Sequence, residues 1–249
     1  MIYVLLPIYN EAANLPGLIE RIQTGIERLG FPYTVLAYND GSTDGSDTIT
    51  RELASSHPLV LLGEPENKGL GHGFASLLKE VCARSESDKD VAIVLDSDNS
   101  HNPELFGFML EKLRQGFDVV IASRYLSDSR VVGVSWFRQF LSLGASWVMR
   151  ILFPIRGVRD YTCGYRAYSL PCLRKAFDKF GDKLVEEPGF ACMAEMLLKL
   201  RTLPVLAVEV PLLLRYDLKQ GASKMDIRKT IKRTLRMIYR LKAAKQIVS

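Results

Sequence analysis

Residues 91–103 read Val-Ala-Ile-Val-Leu-Asp-Ser-Asp-Asn-Ser-His-Asn-Pro, and this stretch decides how the rest of the chain is interpreted. The first five residues are apolar and mostly β-branched, which predicts a buried strand that ends at the surface. Asp96 and Asp98 follow directly, two positions apart. Because side chains two apart in a strand point the same way, the two carboxylates can face a single point.

Two like charges that lie this close need a cation between them. A hard divalent ion, Mg²⁺ or Mn²⁺, suits oxygen ligands better than zinc does, and such ions complete their coordination with substrate phosphates. The pattern therefore favours a nucleotide-diphosphate site with Asp96 and Asp98 as metal ligands. The alternative is that both aspartates only solvate the strand end and begin a turn toward Pro103. An Asp-x-Asp pair by itself does not decide between these interpretations.

Length and composition set broad limits. The 249 residues are enough for one large domain or two small ones with a substantial core. Ile2 to Leu6 is too short for a signal peptide, and the most apolar long window, Val131 to Ile155, contains two arginines and is not expected to span a membrane. The four cysteines show no paired spacing, which favours free thiols in a reducing compartment.

The positive charge is concentrated at the C-terminal end. Residues 224–245 contain nine basic residues against one acidic residue, whereas the rest of the chain has more acidic than basic residues. Apolar residues recur in this segment at helical spacing: Ile227, Ile231, Leu235, Ile238 and Leu241. The pattern predicts a basic amphipathic helix that lies on an anionic membrane surface, binds nucleic acid, or simply packs on its own domain.

Strand and helix patterns alternate four times over the first hundred residues. Strands are predicted at 2–6, 33–38, 59–62 and 91–95, and helices at about 11–29 with Asn10 as N-cap, at about 46–55 and up to about 83. This alternation is typical of an α/β fold with a mostly parallel sheet and helices on both faces. Ligands of such sheets bind beyond the carboxyl ends of the strands, where the polar motifs all lie.

Two of these motifs are weak when taken alone. Asp40 follows the second strand and could accept hydrogen bonds from a base, or form an Asx-turn with Gly41. Glycines at 69, 71 and 73 could let main-chain amides approach phosphates at a helix N-terminus. Their order matches neither the dinucleotide fingerprint nor the phosphate-binding loop.

Taken together, the motifs are far more specific. The chain contains Pro7-x-Tyr-Asn-Glu11, Asn39-Asp-Gly-Ser-x-Asp44, Asn67-Lys-Gly-Leu-Gly71 and Leu95-Asp-Ser-Asp98 in the order seen in family 2 inverting glycosyltransferases of the GT-A fold, which it resembles. Its later part is similar to the dolichol-phosphate mannose synthase branch, through Ala122-Ser-Arg-Tyr125, Arg138-x-x-x-Ser-x-Gly-Ala145, Asp160-x-Thr-Cys-Gly-Tyr-Arg166, Gly189-Phe-x-x-x-x-Glu195, Glu209-Val-Pro-Leu212 and Gly221-Ala-Ser-Lys224. The resemblance covers nearly the whole chain and strengthens the metal interpretation of the two aspartates.

The resemblance implies a role for particular residues. Asp96 and Asp98 are expected to bind the metal and, through it, the diphosphate. The nucleotide is expected to contact Pro7, Tyr9, Glu11, Asp40, Lys68, Gly69 and Asp96. The catalytic set is expected to comprise Asp98, Arg124, Arg138, Glu195 and Lys224, and the acceptor site Arg138, Arg166, Ser223 and Lys224.

Two departures from the family pattern affect these expectations. The family usually has Asp where Asn39 stands, and Gln or a similar residue near Ser100. Its usual arginine before the Gly-x-Ser-Lys element is Leu218 here, and either Arg215 or Lys219 is a candidate to replace it.

The function implied is transfer of a hexose from GDP-mannose, UDP-glucose or another UDP-sugar to a dolichyl or undecaprenyl phosphate, with Mg²⁺ or Mn²⁺. An ionised phosphate acceptor needs no general base. A hydroxyl-bearing acceptor in cell-wall or surface glycan synthesis would need one, with Asp98 or Glu195 as candidates. A nucleotidyltransferase is a more distant alternative, and a nucleic-acid binder would leave the rim motifs unexplained.

A polyprenyl phosphate stays in the bilayer, so the enzyme has to reach a membrane surface. We expect a peripheral protein on the cytoplasmic face, with a membrane protein as an optional partner and no nucleic acid partner. Contact is expected through the basic tail and through the aromatic residues of 131–155. The predicted organisation is a GT-A domain at 1–223 and a basic amphipathic helix at 224–249.

Overall fold

The computed structural model describes residues 1–221 and 225–243. It is a mixed α/β fold in which the helices and strands follow one another as β1 (Ile2–Ile8), α1 (Leu15–Glu27), β2 (Tyr33–Asp40), α2 (Ser46–Ala54), β3 (Leu59–Glu64), α3 (Leu70–Arg84), β4 (Val91–Val94), α4 (Phe106–Arg114), β5 (Val119–Ser123), β6 (Arg130–Val132), α5 (Trp136–Leu152), β7 (Arg166–Ser169), α6 (Leu170–Phe180), α7 (Cys192–Leu200), β8 (Ala207–Pro211), β9 (Leu213–Arg215) and α8 (Ile227–Ala243).

Within these described ranges, seven strands form one sheet in the order β3-β2-β1-β4-β7-β5-β8, and β6 pairs with β9 apart from it. Pairing is parallel except at β7, which runs antiparallel to both β4 and β5. The predicted mostly parallel α/β sheet is therefore confirmed. The antiparallel insertion of β7 was not predicted, because its short segment carries no signal of direction.

The strand order reverses beside β1. The chain winds outward from β1 through β2 to β3, and α3 then returns it to β4 on the other side of β1. Because such crossovers are right-handed, this reversal places α3 on the face opposite α1 and α2. Every residue of β5 and nearly every residue of β1 is buried, as expected of strands covered on both faces. The switch between β1 and β4 opens the crevice in which α/β sheets bind ligands.

The first helix begins later than the sequence predicted. Asn10 adopts a left-handed conformation with φ of 54°, which cannot begin a helix, and Asn14 occupies the N-cap position instead. Leu15 is followed by Pro16, a residue that suits the first turn because it lacks an amide hydrogen. The residues between β1 and α1 are thereby left to form the rim.

Two helices expose apolar side chains. On α5 only Ser146 and Met149 are buried, while large apolar residues face outward, including Trp136 at 77% exposure and Trp147 at 63%. On α8, Met237 and Leu241 are buried in the core, whereas Ile231, Leu235 and Tyr239 are exposed. No helix among residues 1–221 and 225–243 is long and apolar enough to cross a bilayer.

The basic helix predicted near the C-terminus is therefore present as α8, and it is docked on the rest of the chain. The expected division at 223/224 stays a prediction, because Ser223 and Lys224 lie outside the described residues. Their expected roles at the acceptor and catalytic sites lie outside them as well.

Candidate active site

The candidate site lies where β1, β2 and β4 end side by side. Ser97 donates from Oγ to the carbonyl oxygen of Pro7 at 2.8 Å, which joins the ends of β4 and β1. Pro7 is the second-last residue of β1, and Tyr9, just beyond the strand, is 38% exposed. Asp98 also lies here, almost buried, whereas the Asp96 side chain is 40% exposed. The two predicted metal ligands and the first predicted nucleotide contacts thus share one rim.

Asp98 has a defined partner for each carboxylate oxygen. Oδ1 accepts from the amide of Ser100 at 3.1 Å and from its hydroxyl at 2.6 Å. Oδ2 accepts from Nζ of Lys219 at 2.7 Å. Burial opposes ionisation of Asp98, but its electrostatic interactions with His101 and Lys219 and these hydrogen bonds together hold its pKa below the ordinary value. Asp98 is therefore a carboxylate kept ionised by its surroundings.

Asp96 is held from the main-chain side by His101. The Asp96 amide donates to Nδ1 of His101 at 3.1 Å, and Nε2 of the same ring lies 4.0 Å from Asp96 Oδ2. The imidazole is buried and stacks on Tyr165 with ring centroids 4.9 Å apart. Although the Asp96 side chain is partly exposed, desolvation by the surrounding protein raises its pKa, and the electrostatic interaction with His101 opposes this rise. Sequence reasoning missed His101, although it stands in the quoted stretch five residues after Asp96.

The residues present fit a hard divalent cation. Among the described residues no cluster of three or more His, Cys, Asp or Glu could hold a metal, so the protein would supply the two aspartates and leave the remaining positions to phosphate and water. The contact of Lys219 with Asp98 shows that the space beside Oδ2 accommodates a cation. Gly164 lies beside Asp96, since a Cβ there would be 3.4 Å from Asp96 Oδ1.

The loops after β1 and β2 are fixed to each other by short hydrogen bonds. The amides of Asn10 and Glu11 donate to the hydroxyls of Ser42 and Ser46, both at 2.9 Å. Glu11, expected at the nucleotide, is almost buried, and its carboxylate accepts from the Asn14 side chain at 2.6 Å. The motif Pro7 to Glu11 therefore forms a rigid wall of the rim.

The geometry corrects the expectation for the glycine-rich motif. The amides of Lys68 and Gly69 donate to the two oxygens of Asp40, each at 2.8 Å, so these amides are directed at a carboxylate rather than a phosphate. The Lys68 ammonium pairs with Glu64. Gly71 donates to the carbonyl of Pro188 at 3.2 Å, and a Cβ at Gly71 would collide with main chain there. The motif thus packs a loop against the start of α3.

Arg124 is part of an internal network. Its Nε and one terminal nitrogen each lie 2.7 Å from Asp160, and further contacts reach Thr162 at 2.6 Å and Ser142 at 3.2 Å. Burial disfavours the ionised forms of both residues. Their pairing has the larger effect, so the pKa of Arg124 is raised and the pKa of Asp160 is lowered. Arg124 therefore fixes the segment that follows β5 to the turn formed by Asp160 to Thr162. Asp160 was quoted in the family motif without being assigned this role.

Arg138 and Lys219 approach the site from the other side. A terminal nitrogen of Arg138 on α5 lies 3.4 Å from the hydroxyl of Tyr216, and the Lys219 ammonium lies 5.2 Å from the Tyr216 ring. Lys219 in turn contacts Asp98. A chain of contacts thus leads from the exposed helix α5 to the predicted metal ligand.

The two candidates to replace the missing arginine at Leu218 lie in different surroundings. Arg215 forms a bidentate ion pair with Asp217, two residues away, with its closest contact at 2.8 Å. Its side chain is 39% exposed. Lys219, with 8% of its side chain exposed, is the one that reaches the rim.

Two expected residues are not at the rim surface. Arg166 is completely buried, and its terminal nitrogens donate to the carbonyls of Met193 and Tyr161 at 2.6 and 2.8 Å, so the expectation that it binds the acceptor is wrong. Glu195 is also completely buried and contacts Lys199 at 3.0 Å and Arg240 at 2.6 Å. With its carboxylate enclosed in this way, Glu195 is not available as a general base.

The fold and the paired carboxylates at its switch point define a protein of the GT-A class. The chain belongs to glycosyl transferase family 2, whose model matches residues 3–179. It is 34% identical over 239 residues to a dolichol-phosphate mannosyltransferase of Pyrococcus furiosus, covering 96% of this chain and 62% of that protein. It is 30% identical over 225 residues to a polyprenol monophosphomannose synthase of Mycolicibacterium smegmatis, covering 90% of this chain and 80% of the relative. The chain thus spans less than two thirds of the archaeal relative.

Solved structures agree on the fold. Glucosyl-3-phosphoglycerate synthase of Mycobacterium tuberculosis, in complex with Mn²⁺ and UDP-glucose, superposes with a TM-score of 0.66 at 20% identity, over 99% of this chain and 79% of that one. Mannosyl-3-phosphoglycerate synthase of Rubrobacter xylanophilus superposes with a TM-score of 0.63 at 16% identity, over 100% of this chain and 76% of that one. The GT-A fold expected from the motifs is confirmed.

Proposed function

We propose that this chain is a metal-dependent inverting glycosyltransferase that transfers a hexose from a nucleotide sugar to a polyprenyl phosphate at a membrane surface. The observation that carries the proposal is the chain of contacts from Asp98 through Lys219 and Tyr216 to Arg138. It sets carboxylates suited to a metal and a donor diphosphate beside cations suited to a second phosphate. The names of the archaeal and mycobacterial relatives support the same reaction.

The metal would be Mg²⁺ or Mn²⁺ held by Asp96 and Asp98, and when bound it would neutralise charge that develops on the leaving diphosphate. Mg²⁺ and Mn²⁺ complexes among the structural neighbours support this choice. The rim formed by Pro7, Tyr9 and Glu11 would hold the nucleotide. The donor is GDP-mannose, UDP-glucose or another UDP-sugar.

The acceptor would supply its own nucleophile. The second pKa of a phosphate monoester is about 6, so an acceptor oxygen is ionised near neutral pH and attacks the anomeric carbon directly. A bond forms from this oxygen to the anomeric carbon on the face opposite the diphosphate. The bond to the diphosphate breaks and its electron pair leaves with the diphosphate, so the configuration inverts. Arg138 would hold the acceptor phosphate in line. The enclosure of Glu195 disfavours an acceptor that needs this base.

Access to a lipid acceptor would come through α5. Its exposed side chains include two tryptophans and two phenylalanines, the residue types that partition into the membrane interface. The exposed apolar residues of α8 stand among basic residues that suit anionic head groups. We expect peripheral attachment to the cytoplasmic face, and a membrane-protein partner stays a prediction.

The test is a transfer assay with the full chain. Undecaprenyl phosphate in anionic vesicles is incubated with GDP-mannose, UDP-glucose or UDP-N-acetylglucosamine, with Mn²⁺ or with a chelator. We expect one donor to yield a glycolipid of inverted configuration only with metal, and Asp98→Asn to lower the rate by roughly 10²-fold or more.

The matched control is Asp88→Asn, which removes a carboxylate whose side chain is 75% exposed and should leave the rate unchanged. A failure to form glycolipid with any donor, or an undiminished rate in Asp98→Asn, would contradict the proposal. Pyrophosphate release from a nucleoside triphosphate would point to the nucleotidyltransferase alternative.

A further inference from the structure

The segment 215–220 lies across the mouth of the candidate site and is fixed at both ends. The Arg215 amide donates to the carbonyl of Ser100 at 2.9 Å. Gln220 exchanges two hydrogen bonds with the Asn14 side chain, one from its amide at 2.8 Å and one to its carbonyl at 3.1 Å. Lys219 stands between these two attachments, so its main chain is placed while its side chain reaches inward.

The contact that Lys219 makes is with the one oxygen of Asp98 that is not held locally. Oδ1 is fixed by Ser100, two residues away, whereas Oδ2 receives the ammonium of Lys219 at 2.7 Å. A lysine ammonium is a compact charge on a flexible four-carbon stem, so it can leave this oxygen by changing rotamer without a change in the main chain. The pair can therefore separate through the side chain of Lys219 alone.

We propose that Lys219 is a positioning residue that exchanges partners, holding Asp98 Oδ2 until a divalent cation takes that oxygen and then turning to the donor diphosphate. The inference rests on the proposed metal site. A divalent cation on Oδ2 and the Lys219 ammonium would lie close together, and repulsion between charges about 4 Å apart is large where water is excluded. A diphosphate adds negative charge that can hold the metal and the displaced ammonium together.

This exchange couples the two ligands. A metal that binds alone has to displace Lys219 from Asp98. When a diphosphate binds as well, the displaced Lys219 can pair with the diphosphate. Each ligand should therefore tighten binding of the other by the same factor. Neutralising Lys219 should strengthen binding of the metal alone and weaken the coupling. A lysine that served only to bind phosphate, or only to support the fold, would not produce tighter metal binding when removed.

The experiment measures Mn²⁺ affinity by electron paramagnetic resonance of the free ion, for wild type, Lys219→Met and Arg215→Met, each alone and with GDP or UDP. Arg215→Met is the matched control because it removes a charge from the same segment that pairs with Asp217. We expect Lys219→Met to bind Mn²⁺ alone about tenfold more tightly than wild type and to show a smaller gain on adding nucleotide. Arg215→Met should behave as wild type.

Thermal unfolding of the same proteins gives a second readout. Mn²⁺ should raise the Tm of Lys219→Met more than that of wild type, because the metal replaces the lost partner of Asp98. If Lys219→Met does not fold, Lys219→Gln takes its place in both measurements. Equal or weaker Mn²⁺ binding in the neutral variant would overturn the inference. Lack of Mn²⁺ binding in every protein would also overturn it, and the transfer assay would then decide the proposed function independently.

Discussion

Asp98 and Glu195 are both buried carboxylates in contact with a lysine ammonium, but the two pairs are built differently. Asp98 meets Lys219 across 121 residues of sequence, on a loop at the mouth of the site. Glu195 meets Lys199 one helical turn away on α7, and neither side chain is exposed. Lys219 can leave Asp98 by turning its side chain outward, whereas Lys199 is enclosed and cannot leave Glu195 in this way.

The surroundings of Glu195 make its arrangement more rigid still. Its second oxygen accepts the amides of Glu186 and Glu187, each at 2.8 Å. Its first oxygen also accepts from Arg240 at 2.6 Å, so α8 is attached to the interior through this carboxylate. A carboxylate with four fixed donors supports structure, whereas one with an exchangeable donor suits ligand binding. On our proposal, the same pair of residue types therefore serves two purposes.

Removing the enclosed lysine is the strongest way to test this distinction. We expect Lys199→Met to lower the free energy of unfolding by about 3 kcal/mol, because Glu195 would lose one of its two cationic partners in a place without water. Lys219→Met should lose less than half as much, since water reaches Asp98 once the lysine is gone. Urea unfolding measures both, with exposed Lys175→Met on α6 as the control. If Lys199→Met and Lys219→Met lost the same free energy of unfolding, the two lysine–carboxylate pairs would not differ in the way described.

The pair of Asp160 and Arg124 offers an intermediate case, because the carboxylate is fully buried and the guanidinium side chain is 18% exposed. Burial opposes ionisation of Asp160, but Arg124 lowers its pKa. A group with a lowered folded pKa stabilises the fold above its ordinary value near 4, and that stability is lost as the pH falls through the folded pKa.

We therefore expect Asp160→Asn to cost about 2 kcal/mol at pH 7 and to reduce the fall in stability between roughly pH 5 and pH 2. Urea unfolding at a series of pH values measures both effects. An acid dependence identical to that of wild type would show that Asp160 does not carry this linkage.

The exposed face of α5 should show the smallest effect on stability. Trp147→Ser changes a side chain that is 63% exposed, so the free energy of unfolding should move by less than about 0.5 kcal/mol. Vesicle binding should weaken about tenfold, because a large apolar side chain no longer enters the interface. Co-sedimentation with anionic vesicles measures this binding. Phe108→Ser on α4, where the side chain is 68% exposed, is the control, and an equal loss there would argue against α5 as the membrane face.

Much of the scaffold could be predicted because it depends on local pattern. The apolar run before Asp96 fixes both β4 and the position of the two carboxylates at its end, and alternation with helices fixes the parallel core. The start of α1 could not be predicted, since it depends on a left-handed Asn10 held by the next loop.

The partners of the site residues were harder to predict because they come from distant parts of the chain. Nothing near Asp98 in the sequence indicates Lys219, and nothing near Asp40 indicates that two amides from another loop will occupy it. Burial of Glu195 is equally hidden, since Glu at that position on a helix is compatible with either a solvated or an enclosed face. Family motifs predicted which residues would gather at the rim, and only the packing shows what each of them contacts.

The contact between Arg240 and Glu195 can form only late in synthesis of the chain. Glu195 and its acidic neighbour Glu187 leave the ribosome 45 or more residues before the guanidinium that contacts both of them. Until then the loop that packs against Gly71 at the start of α3 lacks one of its cationic partners. The N-terminal strands can assemble early, but this side of the protein is completed only when the last described helix arrives.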